Sequence, residues 1–380
     1  MRRTLSASLA VAALTVASCG GDSDAPSASQ PAAGANQAGV EHAKAQIAKY
    51  RAVPRFEPPG PAFDARKAAS GKTILSIPAS SSIPFVQTIQ DGMKDIAGEV
   101  GMNFIDWPNQ GKPAQWVQGM NQALDRKAQV VNLLAGINPG ALAPQISKAQ
   151  AAGADVVASH LYDVNQPATN GAHSVSIYYE QAGRLLADWV ISKTGGEANV
   201  LVVTINEVVS TKPMMHGIND EFAKHCGSGC KVSTINTAIA DVATRIQPQV
   251  QSALVKDPGI NYVIALYDSA EAPFVVAGIR QAGAKGRVKV VTFNGTPSVL
   301  KMVKSGDVEM DVGESLDWIS YGVMDQVMRL AGGLDPVEDP RLPIRIFDKD
   351  NVDETGDPPT DSKGYGDSYR DGYMKLWGLK

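Results

Sequence analysis

Three groups of residues in this chain could carry chemistry. The first is the loop Ala79-Ser80-Ser81-Ser82, followed by Pro84 and Phe85. Hydroxyls and amides at the start of a helix can donate hydrogen bonds to a polar solute, and Ser81 is the candidate contact. An ordinary strand-to-helix turn is the alternative reading. The second group is Cys226 and Cys230, separated by Gly-Ser-Gly. In an oxidising compartment they read as a local disulfide. Zinc fits poorly, because only His225 stands beside them as a further ligand. The third is Cys19, preceded by Val16-Ala17-Ser18, a short apolar stretch Leu5–Val16 and the basic start Met1-Arg2-Arg3. Together these resemble a lipobox, in which Cys19 would be diacylated and become the mature N-terminus. The alternative is an ordinary cleaved signal with a stray cysteine.

Motifs for covalent chemistry are missing from the sequence. It holds no HExxH and no GxSxG, and its five histidines are scattered. Gly71-Lys72-Thr73 ends like a phosphate-binding loop, but Arg66 occupies the earlier glycine position and the motif precedes a strand. No catalytic residue, metal or cofactor is therefore expected.

The elements that must position these residues follow from hydrophobic period. Phe85, Val86, Ile89, Met93, Ile96, Ala97 and Val100 form one helical stripe after the strand Lys72–Ile77, with Ser82 as a candidate cap and Pro84 in the first turn. Strands are expected at Met102–Asp106, Gln129–Leu134, Asp155–Ser159, Ser174–Ile177, Asn199–Thr204, Lys231–Ile235, Tyr262–Leu266, Val288–Thr292 and near Met310–Val312. Helical patterns alternate with them, ending in a long one from about Asp317 to Leu330. This alternation predicts an α/β fold of parallel, doubly wound sheets. With 380 residues, 44% of them hydrophobic, the chain suits two such lobes.

Outside this body, residues 1–18 read as a signal peptide and 19–71 as a flexible tether with an extended proline-rich segment and a short helix at Glu41–Tyr50. Residues 335–380 read as a tail whose aromatics, from Tyr365 to Leu379, pack it back onto the body. The formal net charge is −4, and cleavage before Cys19 removes Arg2 and Arg3 and makes it −6. That balance argues against a nucleic-acid partner.

From Lys72 to about Gly332 the chain resembles the type I solute-binding proteins of ABC importers, of the ribose-binding kind. The stretches that carry the resemblance are IPASSSIPFVQTIQDGMKDIAGEVG, INPGALAPQISKAQAAGADVV, YVIALYDSAEAPFVVAGIRQAG and VVTFNGTPSVLKMVKSGDVEMDV. The resemblance implies two Rossmann-like lobes joined by three crossings, placed near Ile177–Tyr178, Asn294–Pro297 and Gly313–Ser315. It assigns 72–177 with 295–313 to the N-terminal lobe and 178–294 with 314–334 to the C-terminal lobe. Gly295 and Gly313 would serve as hinge residues.

The resemblance also places ligand contacts at the inner strand ends. Phe85 matches an aromatic that packs on a sugar face, unless it belongs to the helix stripe. His160 falls on an aspartate position, with Tyr162 in the same loop. His216 replaces an arginine. Tyr267-Asp268 stands where Asn-Asp is common; Asp268 would accept from ligand hydroxyls or cap the next helix. Asn294 replaces an aspartate and Glu314 a glutamine. Trp107 and Trp318 are further aromatic candidates. A second family arginine falls on Leu161, and the missing arginines imply a solute other than ribose. The implied protein is a monomeric, extracytoplasmic, lipid-anchored receptor. It would hand a small polar solute, a sugar or similar, to an ABC permease. Presenting that solute to a chemoreceptor or histidine kinase is the alternative.

Overall fold

The computed structural model describes residues 33–380. The expected signal peptide and Cys19 lie outside the described residues.

The first lobe is built on a parallel sheet of five strands, β1 (Thr73–Pro78), β2 (Asn103–Asp106), β3 (Val130–Leu134), β4 (Asp155–Asp163) and β5 (His173–Ile177), in the order β2-β1-β3-β4-β5. The apolar runs explain why: β1 and β3 are buried nearly throughout, as central strands covered on both faces must be. The chain before this sheet contributes α1 (Ala33–Arg51) and α2 (Ala65–Ala69). Between the strands run α3 (Pro84–Val100), α4 (Pro113–Asp125) and α5 (Ala143–Ala151). The expected stripe of α3 is buried, and Gly101 ends the helix in the left-handed conformation. Ser82 does not cap α3, because Ile83 takes that position; the Ser82 hydroxyl instead meets that of Ser80 at 2.9 Å.

The second lobe adds α6 (Tyr179–Thr194), β6 (Ala198–Thr204), α7 (Thr211–His225), β7 (Cys230–Asn236), α8 (Val242–Lys256), β8 (Tyr262–Ala265), α9 (Asp268–Gln281), β9 (Lys289–Asn294), α10 (Pro297–Ser305) and β10 (Met310–Glu314). After α11 (Leu316–Ala331) come β11 (Ile344–Asp348) and α12 (Ser368–Leu376). The second sheet has the order β11-β10-β9-β8-β6-β7, parallel except for β11. The doubly wound α/β architecture is as expected.

Three boundaries differ from expectation. β10 pairs with β9, and α10 packs beneath it, so 297–314 belongs to the second lobe. α11 packs on α3 and covers the first sheet, so 316–331 belongs to the first lobe. The assignments of 295–313 and 314–334 are thus exchanged. The chain does not cross at Asn294–Pro297. Gly295 therefore lies off the crossings and packs closely, since a Cβ on it would lie 2.6 Å from the Cα of Gly313, which stands beside the expected crossing at Gly313–Ser315. The passages between lobes fall at 177–179, 314–316 and 332–343, and the segments 52–64 and 349–367 add two more.

The tether is also shorter than expected. α1 packs on the second lobe through buried Gly39, Ala43 and Ile47, a stripe of four-residue spacing. α2 packs on the first lobe. In the tail, Tyr365, Tyr369, Tyr373 and Trp377 are buried, which agrees with the expected docking of this segment.

Cys226 and Cys230 form a disulfide, with Cα atoms 5.6 Å apart, that ties the end of α7 to the start of β7. Closing so short a loop is expected to contribute about 2 kcal/mol. Thiol labelling of the unreduced, folded protein should find neither cysteine reactive, and two reactive thiols would refute the bond in solution.

Candidate ligand-binding site

Parallel strands bring their carboxyl ends to one edge, and in each lobe that edge carries the sequence-selected residues. β1 leads into Ser81 and Phe85, β4 carries His160 and Tyr162, β8 leads to Tyr267 and Asp268, β9 ends at Asn294 and β10 at Glu314.

The two lobes meet through Glu314. Its Oε1 accepts from His160 Nε2 of the first lobe at 2.8 Å and from Asn294 Nδ2 at 2.8 Å. The other ring nitrogen, Nδ1, lies 3.1 Å from the Tyr179 hydroxyl. Both ring nitrogens are thus engaged, Nε2 by the carboxylate and Nδ1 by the phenol. His160 holds a left-handed backbone (φ 54°), which turns its ring out of the β4 run, and the Phe85 ring packs edge-on to it at 4.8 Å. Glu314 Oε2 is buried and has no hydrogen-bond partner among the described residues.

Behind this cluster lies a pair of buried carboxyl groups. Asp268 is fully enclosed; its Oδ2 accepts from the Thr296 amide at 2.6 Å and its Oδ1 from the Ser269 amide. Asp311 Oδ1 accepts from the Gly295 amide at 3.2 Å. Burial raises the Asp268 carboxyl to about 6, and burial with the Asp268 charge pushes Asp311 well above the carboxylate range. Together they pin the 294–296 turn and hence the Asn294 side chain. Each Asp268 oxygen thus takes a backbone amide, which makes the residue an anchor for this turn.

The remaining candidates stand at varying distances from this centre. Ser81 exchanges hydrogen bonds with Asn109, through its amide at 2.9 Å and its hydroxyl oxygen at 3.1 Å. The Tyr162 hydroxyl meets Thr169 at 2.9 Å, and its ring belongs to a small apolar cluster with Leu161 that Val209 of the second lobe packs against. The Tyr267 hydroxyl reaches Ser210 and Thr211 at 2.9 and 2.8 Å, at the start of α7. His216 is not brought in: its side chain is 66% exposed and its Nδ1 faces Glu180 of α6 at 3.2 Å. α7 begins at Thr211, so residue 216 has already turned toward α6. Trp318 is buried and stacked on Tyr369, a packing role. Tyr179 and Asp311 were missed by sequence reasoning. Tyr179 looks like the first residue of a helix stripe, and Asp311 like one polar residue in an edge strand.

A family model described as a periplasmic binding protein domain matches residues 74–335. The chain belongs to the periplasmic binding protein family. This periplasmic binding protein is 23% identical over 266 residues to the ribose import binding protein RbsB of Salmonella typhimurium, covering 68% of this chain and 85% of that protein. Its fold is similar to that of an ABC transporter solute-binding protein from Burkholderia graminis solved with D-arabinose, with TM-score 0.65, 20% identity, and 75% and 97% of the two chains covered. It is equally similar to the Caulobacter myo-inositol binding protein, with TM-score 0.65, 21% identity and the same coverage. The type I resemblance drawn from the sequence holds. Periplasmic binding proteins close two lobes on a solute, and here His160 and Glu314 bridge the two lobes at the facing strand ends.

Proposed function

We propose that this protein is the extracytoplasmic solute receptor of an ABC importer, that it binds a neutral sugar or polyol between its lobes, and that it delivers the solute to the permease. Cys19 would hold it to the membrane by a lipid. The observation that carries the ligand class is Glu314: one oxygen is held by His160 and Asn294, while the other is buried and free to accept a hydroxyl. The Phe85 ring beside it suits the apolar face of a sugar ring. Ser81, Tyr162 and Tyr267 would line the rim. The relatives named for ribose, D-arabinose and myo-inositol are receptors of polyhydroxylated solutes, which supports the same class here. Binding needs no covalent step.

The test is calorimetric titration with pentoses, hexoses and inositols, alongside native mass spectrometry of protein purified without refolding. A neutral polyol is expected to bind one to one. Glu314→Ala should weaken it by about one to two decades, since a lost buried contact costs about 1–3 kcal/mol. If no polyol binds and none co-purifies, the reading fails.

A further inference from the structure

A second cluster of ligating groups lies on the second lobe, away from the strand ends. Residues His42 of α1 and Glu221 and His225 of α7 bring one ligand atom each to within 4.8 Å of one another. His42 Nε2 is 3.0 Å from Glu221 Oε1, and His225 Nε2 is 3.4 Å from the same oxygen. Bonds of about 2.0–2.1 Å in a tetrahedral shell set ligand atoms about 3.3 Å apart, close to the two histidine–glutamate spacings here. We propose that His42, Glu221 and His225 form a binding site for a divalent transition metal of the zinc class, which staples α1 to α7.

The cluster is assembled by the fold. Glu221 and His225 are one helical turn apart on α7, so they share a face. Gly39 seats α1 against the end of α7: a Cβ there would lie 2.0 Å from the His225 carbonyl oxygen. His42 follows three residues later and so faces Glu221. Glu221, 4% exposed, is fixed from behind by Arg184 Nη1, which donates to its Oε2 at 3.0 Å. Such outer partners orient a ligating carboxylate. Around the site, the acids Glu180, Asp220 and Glu221 exceed the cations Arg184 and Lys224, so a further cation is favoured. The two imidazoles stack with centroids 3.9 Å apart and planes within 2°. To share an ion the His42 ring must turn out of this stack, which its 37% exposure allows. Two imidazoles and one carboxylate suit zinc, copper or nickel rather than calcium or magnesium.

The experiment uses full-length protein without a histidine tag, stripped with chelator and titrated with zinc chloride in a calorimeter. Wild type is expected to bind one ion with a Kd below about 100 μM and to melt at a higher temperature with zinc than without. His42→Gln and His225→Gln should each weaken zinc at least tenfold and abolish the melting shift. His173→Gln, at another histidine–carboxylate pair, should change neither. Circular dichroism checks that each variant is folded. No stoichiometric binding by wild type, or unchanged binding in both His42→Gln and His225→Gln, would overturn the site.

Discussion

Replacing Asp268 by alanine is expected to destabilise the solute-free protein by about 2–4 kcal/mol at pH 5, because the amides of Thr296 and Ser269 both lose their acceptor. The effect has a defined pH dependence. The Asp268 carboxyl is raised to about 6 in the folded chain, above its ordinary value of 3.8. Protonation therefore favours the folded state. That stability is fully present below about pH 4 and is lost as the pH rises through 6, with a slope of at most about 1.4 kcal/mol per pH unit. Asp311, raised further by burial and by the Asp268 charge, acts in the same direction. The difference between wild type and Asp268→Ala should accordingly be larger at pH 5 than at pH 8. Urea unfolding of both proteins at the two pH values reads it directly. A variant as stable as wild type that binds solute poorly would make Asp268 a solute contact and not an anchor.

Trp377→Ala is expected to cost about 3–5 kcal/mol, the range for emptying a buried tryptophan site. Trp377 is fully buried, stacks on Tyr321 with centroids 5.5 Å apart, and donates from Nε1 to Asp325 Oδ1 at 2.7 Å. Asp325 in turn accepts from Arg329 Nε at 2.8 Å, with both side chains buried. The substitution opens a void and takes one of three hydrogen bonds from an enclosed carboxylate. Denaturant midpoints measure the loss. A change under about 1 kcal/mol would mean that α12 is an appendage rather than part of the first lobe's core.

The sequence exposed the strand–helix alternation because each element carries its own period. All ten expected strands, from Lys72–Ile77 to Met310–Val312, coincide with β1 to β10 within a few residues. β11 was hidden because Ile344-Arg345-Ile346-Phe347-Asp348 is short and lies in a segment rich in Pro, Asp and Gly. α12 reads as polar, although Tyr369, Tyr373 and Trp377 recur at four-residue spacing. The second half of α1 was expected as the helix Glu41–Tyr50, and its start was masked by the small residues that let it sit close. The lobe exchange had a different origin: whether Met310–Glu314 joins one sheet or the other is decided by pairing with β9, which no local pattern encodes. The same holds at the site. His160 and Glu314 are 154 residues apart, so their contact exists only in the fold. Asp268 beside a helix start looks the same in sequence whether it faces solute or backbone. Only the fold shows that each of its oxygens takes a backbone amide.

The passages between lobes also set a timetable. The strands of the first sheet are all made by residue 177, yet α11, which covers that sheet beside α3, is not made until 316–331. Its own cover, Tyr369 to Trp377, comes within the last dozen residues. The second lobe, by contrast, has every parallel strand by residue 314 and lacks only β11. A chain that emerges from its N-terminus therefore finishes its second lobe before its first. The earliest strands wait longest with apolar surface bare, the interval in which an exported chain depends most on being held apart from its neighbours.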